Sequence, residues 1–235
     1  MLAEEVLVVL SLSLLPSAVD AIISLASAPL AGVAVSVYGK AALASQLSSI
    51  VFGLAPVALV VHLVRRGRDP LDRFGLGTST IRRDAGAGVL LGLGVALVGL
   101  AIYIAAVALK VNRFVVPVPP TGHWWTVPVL VLGAMQAALL EETVAVGYLI
   151  RRLEQIGWSG TVAVVTSAVL RASYHLYQGW GGFAGNMALG LAFGSIFWRW
   201  RRVWPLVFAH ASVDILAGVA YLVYRGHCYF GACIR

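Results

Sequence analysis

Residues 127–150 read VPVLVLGAMQAALLEETVAVGYLI. The stretch is long enough to cross a bilayer as a helix, which takes about 20 apolar residues. Its second half nevertheless carries two adjacent carboxylates, Glu141 and Glu142. A charge at mid-bilayer costs at least about 2.5–3.5 kcal/mol on insertion scales. Neighbouring helical residues point about 100° apart, so the two acids are expected to play different roles. One can face a reactive centre while the other pairs with a cation.

The rest of the chain has the same character. Of its 235 residues 60% are apolar and 11% charged, against about 25% charged in a soluble domain. So few charges cannot form a water-facing shell. Continuous apolar runs argue for helices, since barrel strands would be shorter and alternate. The expected fold is all-α: a polytopic bundle of about seven spans, with its site buried between the C-terminal helices. The spans are placed at 6–26 with a kink at Pro16, 42–64, 85–109, 127–150, 160–175, 183–198 and 203–224. Residues 27–40 read as a partly re-entrant connection and 112–126 as an interfacial loop with Trp124 and Trp125 as anchors. Tyr177 to Gly182 reads as a tight turn. The organisation is three parts: 1–125 for spans 1–3 and the loop, 126–225 for the helical core with the site, and 226–235 for a short tail.

The net charge of +7 reads as topology. There is no basic stripe with interleaved aromatics, so nucleic acid is not an expected partner. With the N-terminus inside, Arg65, Arg66, Arg68, Arg73, Arg82, Arg83, Arg151, Arg152, Arg199, Arg201 and Arg202 lie in inner loops. Lys40, Lys110, Arg113, Arg225 and Arg235 lie outside. That bias is the one inner loops show. The expected location is a cell inner (plasma) membrane, multi-pass, N-terminus cytoplasmic and C-terminus outside. Met1 to Glu5 lacks the basic start of a cleaved signal. Cys228 and Cys233 are too few for a disulfide framework, though outside a disulfide could persist. Gly88/Gly92, Gly181/Gly185 and Gly190/Gly194 read as close helix packing.

Further ionisable groups sit in later spans. Arg171 and His175 are four apart, as are His210 and Asp214, so each pair shares one helix face. Glu141, Glu142, His175, His210 and Asp214 are the candidate catalytic set. Arg171, Tyr174 and Asn186 are candidate lining residues, with Ser173 and Gln178 as weaker ones. Asp20, His62, His123 and His227 read as boundary residues.

Such a set can hydrolyse an amide in two ways. Glu141, His175 and His210 could bind zinc, which lowers the pKa of a bound water. Without metal, a Glu acts as general base on water and histidines hold water and oxyanion. No cofactor is favoured, and zinc is the alternative. A proton relay is a third use of intramembrane acids and histidines, but transporters usually show two related halves, and none is visible.

Glu141-Glu142, Arg171-Ala-Ser-Tyr-His175 and His210-Ala-Ser-Val-Asp214 resemble, in order and spacing, the EExxxR, FxxxH and HxxxN/D motifs of the CPBP (CAAX protease and bacteriocin-processing, Abi) family of intramembrane proteases. His175-Leu-Tyr-Gln-Gly-Trp-Gly-Gly182 looks like its bacterial members. The resemblance covers roughly residues 127–220. It implies that Glu141 and His175 activate water and that His210 and Asp214 stabilise the oxyanion. It implies a membrane-associated peptide or protein substrate. The family is often labelled metalloprotease; the glutamate mechanism is the favoured one. A non-catalytic member, serving bacteriocin immunity or as a membrane scaffold, is the alternative. Two positions depart from the motifs: Val146 stands where the first has Arg, and Arg171 where the second has Phe. Arg171 is expected to replace the missing cation and pair with Glu142.

Overall fold

The computed structural model describes residues 2–27, 34–36, 43–119, 121–225, 228–229 and 232–233. Helices dominate: α1 (Leu2–Ser11), α2 (Leu14–Ser27), α3 (Leu43–Gly53), α4 (Ala55–Arg66), α5 (Ile81–Ala108), α6 (Thr126–Glu141), α7 (Leu149–Gln155), α8 (Gly160–Tyr174), α9 (Trp180–Trp200) and α10 (Trp204–Tyr224). Strand β1 (Ala34–Ser36) pairs in parallel with β2 (Phe114–Val116), and β3 (Cys228–Tyr229) pairs antiparallel with β4 (Ala232–Cys233), Cys228 opposite Cys233. Among the described residues four helical stretches are long and apolar enough to cross a membrane: Leu43–Arg66, Ile81–Ala108, Thr126–Gln155 and Trp204–Tyr224. The fold is thus the all-α, multi-helix membrane architecture expected, and among the described residues, counting each broken helix once leaves seven helical segments, a number compatible with about seven spans.

The breaks fall where prolines remove backbone donors. The first segment is interrupted at Leu12 and Ser13, rather than kinked at Pro16. Proline has no N–H for the carbonyl four residues earlier, and for Pro16 that carbonyl belongs to Leu12. In the second segment Pro56 likewise leaves Phe52 without its donor, and the helix breaks at Leu54. Two other boundaries move. The fourth segment does not end at Ile150, before Arg151-Arg152, but runs to Gln155. The turn after His175 is shorter than 177–182, because α9 already begins at Trp180. Residues 27–40 contribute β1; the rest of that connection, with Asp20 and His227, lies outside the residues whose side chains are described.

Residues Glu142–Tyr148, between α6 and α7, form a π-helix, and all seven are buried. A π turn inserts one residue into the helix and shifts the phase of the residues beyond it; such insertions cluster at functional sites. Two contacts support it. Ser167 donates to the Ala145 carbonyl at 2.7 Å. Gly147 lets the Phe74 carbonyl and Val203 close in, where a Cβ would stand 2.9 Å and 2.7 Å from them.

Glycines draw together the helices that carry the polar side chains. A Cβ on Gly88 would come within 2.5 Å of the Pro205 carbonyl, and one on Gly92 within 2.7 Å of the Ala209 carbonyl. So α5 lies directly on α10 beside His210. A Cβ on Gly190 would stand 2.8 Å from Ala168 Cα, which brings α9 onto α8. These are the close approaches small residues allow. Gly185 has nothing within 4 Å, so the third pair packs only through Gly181, against Ala106 and Asn112.

One end of the bundle is ionic. Arg152 is buried, bonds Glu5 and Asp69 at 2.9 Å each, and lies over the rings of Phe74 and Tyr148. Glu154 takes Arg201 and Arg151, and Asp84 takes Arg202. The Arg-rich segments expected on the inner side therefore meet at a single end, together with the N-terminal helix.

Candidate active site

Glu141 is the last residue of α6 and Glu142 the first of the π segment. Arg171 reaches both from the last turn of α8. Its Nη1 donates to Glu142 Oε1 at 2.7 Å, and its Nη2 lies 3.4 Å from Glu141 Oε2. The partner expected for Arg171 is thus the one it has. His210, on α10, places Nδ1 2.8 Å from Glu142 Oε1 and 3.2 Å from Arg171 Nη2. Its Nε2 lies 3.5 Å from Asp214 Oδ2. The Tyr174 hydroxyl donates to Glu141 Oε2 at 2.8 Å. Tyr174 also packs against His175, ring centroids 4.8 Å apart. All five expected residues, with Arg171 and Tyr174, form one cluster drawn from α6, the π segment, α8 and α10.

The distances explain how helices entered at different points converge. Counting the fourth segment to Arg151 sets Glu141 much shallower than His175. The helix actually continues to Gln155, fourteen residues beyond Glu141. His175 lies fifteen residues beyond Gly160, so the two reach similar depth at about 1.5 Å per residue. Ser159 starts α8 cleanly, its hydroxyl accepting from the Val162 N–H at 3.3 Å, a cap worth about 1 kcal/mol.

The two acids differ in access. The Glu142 side chain is 0% exposed, with Arg171 at 2%; Glu141 is 13% exposed and Asp214 40%. Glu142 is sealed in an ionic triangle with Arg171 and His210, while Glu141 shares the cluster and still meets open space. Removing one partner of a buried ion pair costs about 3–5 kcal/mol, so the triangle fixes the geometry around Glu141.

His175 stands at the C-terminal cap of α8, and its Nδ1 lies 3.0 Å from the Arg171 carbonyl. A carbonyl can only accept, so that nitrogen carries the proton and Nε2 keeps a lone pair in the neutral ring. Tyr177 was not singled out from the sequence. Its ring lies 6.1 Å from that of His175, and its phenol is within electrostatic reach of Glu141 and Asp214. Nothing in its local sequence distinguishes it from an ordinary interfacial tyrosine. Asn186 bonds the Gly182 carbonyl of its own helix at 2.9 Å, and Ser173 bonds Val169 in the same way.

Among the described residues no group of three or more His, Cys, Asp or Glu side chains is disposed to hold a metal ion. A cation is already built in: the Arg171 guanidinium bonds or approaches Glu141, Glu142 and His210. A divalent ion beside it would face like charge.

Among known proteins, a family model described as Rce1-like, type II CAAX prenyl endopeptidase Rce1-like, matches residues 123–216. That range holds every member of the cluster. No curated protein and no solved structure matches the chain.

Proposed function

From the match of residues 123–216 to the model of Rce1-like, type II CAAX prenyl endopeptidases, we propose that the chain is an intramembrane endopeptidase cleaving a peptide bond of a membrane-associated substrate with a water activated by Glu141 and His175. The family supports protease activity in general. The observation that carries the finer reading is the division between adjacent carboxylates: Glu142 is sealed against Arg171 and His210, while Glu141 keeps 13% of its side chain exposed.

Tyr174 and Arg171 both engage Glu141 at Oε2, which leaves Oε1 for a water. Glu141 takes one proton from that water as its oxygen attacks the scissile carbonyl carbon. His175 orients the water through the Nε2 lone pair. The C=O electron pair moves onto the carbonyl oxygen, and His210, steadied by Glu142 and flanked by Asp214, donates to that oxyanion. A preorganised donor of this kind is worth about 2.7–4 kcal/mol in other hydrolases. As the intermediate collapses the C–N bond breaks, and Glu141 returns the proton to the departing amine. The new carboxylic acid passes its remaining water-derived proton to the amine, so the products are a carboxylate and an ammonium group. No step is routed through a metal.

The Arg-rich end, with Glu5, is assigned to the cytoplasmic side. The test is direct: the chain purified in detergent is given a fluorogenic prenylated CAAX peptide, and the products are weighed by mass spectrometry. Cleavage within the peptide that His175→Ala abolishes supports the assignment. A folded wild-type chain that leaves this and other membrane-associated peptides intact contradicts it.

A further inference from the structure

The segment Val111–Arg113 lies outside the stretch that matches the family model, yet it grips the turn next to His175. Residues 176–178 make a 3-10 turn, Gly179 comes next with φ 105°, and α9 starts at Trp180. A φ of this size is left-handed space that favours glycine. A helix start leaves its first backbone N–H groups without partners inside the helix, and normally the preceding side chain caps them. Gly179 has no side chain to do so.

The caps come from elsewhere in the chain. Asn112 Oδ1 accepts from the Gly182 N–H at 2.7 Å, and the Val111 carbonyl accepts from the Gly181 N–H at 3.1 Å. On the preceding turn the Arg113 N–H donates to the Gln178 carbonyl at 2.7 Å, and Arg113 Nη1 donates to the Tyr177 carbonyl at 3.1 Å. Asn112 and Gly179 also form a backbone bridge. Asn112 and Arg113 are both buried. The glycines make room for this grip: a Cβ on Gly181 would stand 3.3 Å, and one on Gly182 3.2 Å, from Asn112 Oδ1. Gly179-Trp-Gly-Gly182 is thus the receptor for Asn112.

We propose that Asn112 is a positioning residue, capping α9 across the bundle and so holding the His175–Gln178 turn in its working place. Its contacts are to the backbone of the clamp rather than to the reacting side chains, and the proposal rests on the catalytic reading of His175. The mechanism is geometric: an error of about 1 Å at a reacting group can cost about a hundredfold. His175 sits between the fixed end of α8 and the turn that Asn112 clamps. Its ring position therefore depends on both anchors.

Two substitutions separate this role from plain stability. Asn112→Leu keeps the volume and removes the acceptor. Asn112→Asp keeps an acceptor, and a carboxylate suits a helix N-terminus. Expected is a kcat about tenfold or more lower in N112L with KM within about twofold, and a kcat near wild type in N112D. Ring-labelled histidine NMR in detergent gives a readout independent of any activity, with His175 assigned by its loss in H175A. In N112L the His175 resonance moves while that of His62 stays; in N112D both stay. An N112L variant with an unmoved His175 resonance overturns the proposal, as does N112D failing equally with N112L. A moved resonance in a chain without peptidase activity keeps the clamp and sinks only the catalytic reading. An N112L chain too unstable for spectra is judged on N112D, whose His175 must then match wild type.

Discussion

The guanidinium of Arg171 lies 2.7 Å from the carboxylate of Glu142, in a place where both side chains are shut off from solvent. One of the two motif departures, Arg171, makes that contact; the other is Val146. Val146 is buried in the π segment, and the cation has moved to the neighbouring helix.

Arg171→Leu is expected to lower the unfolding free energy by about 3–5 kcal/mol, the loss when a buried charge is left alone. Adding Glu142→Gln should recover a large part of it. Thermal unfolding in detergent of the two single variants and the double variant checks this. Simple additivity would mean the pair is not coupled.

Tyr174→Phe keeps the ring against His175 and deletes one hydrogen bond to Glu141. The stability change should be about 1 kcal/mol, and kcat should fall by about tenfold, as expected if that bond aims the carboxylate. Steady-state kinetics on a prenylated peptide gives the answer; unchanged kcat would remove Tyr174 from the machinery.

Chelators should leave cleavage unchanged, and added zinc should not raise it, because Arg171 already supplies the positive charge among Glu141, Glu142 and His210. Loss of activity on dialysis against a chelator, restored by zinc, would overturn the metal-free reading.

Gly190→Ala should destabilise by about 1–3 kcal/mol, since its new methyl would stand 2.8 Å from Ala168 Cα in a packed interface. Gly99→Ala, with nothing within 4 Å, should be neutral or stabilise by up to about 1 kcal/mol, the helix-propensity gain. Melting temperatures of the two compare the close approach with its control.

The ionisable cluster was legible because charge in hydrocarbon is costly, so Glu141, Glu142, Arg171, His175, His210 and Asp214 stand out against apolar neighbours. Spacing by four already put His210 with Asp214. The end of the fourth segment was misplaced for an electrostatic reason. Arg151 and Arg152 look like a span's exit, but Glu5, Asp69 and Glu154 pair with them, and the helix continues. The π segment left no local signal, since Thr143, Val144 and Val146 suit many apolar settings. Asn112 and Arg113 looked like solvent-facing loop residues; their partners lie about 65 to 70 positions away in the chain, beyond any local pattern.

The central claim is that Glu141, and not its neighbour, delivers the base. The most direct measurement is the cleavage rate of Glu141→Gln on a prenylated CAAX peptide, with thermal unfolding recorded on the same sample. The expected result is a rate lower by about 10²–10⁴, the share of a general base, at a melting temperature close to wild type. A Glu141→Gln chain that stays folded and cleaves as fast as wild type would contradict the account.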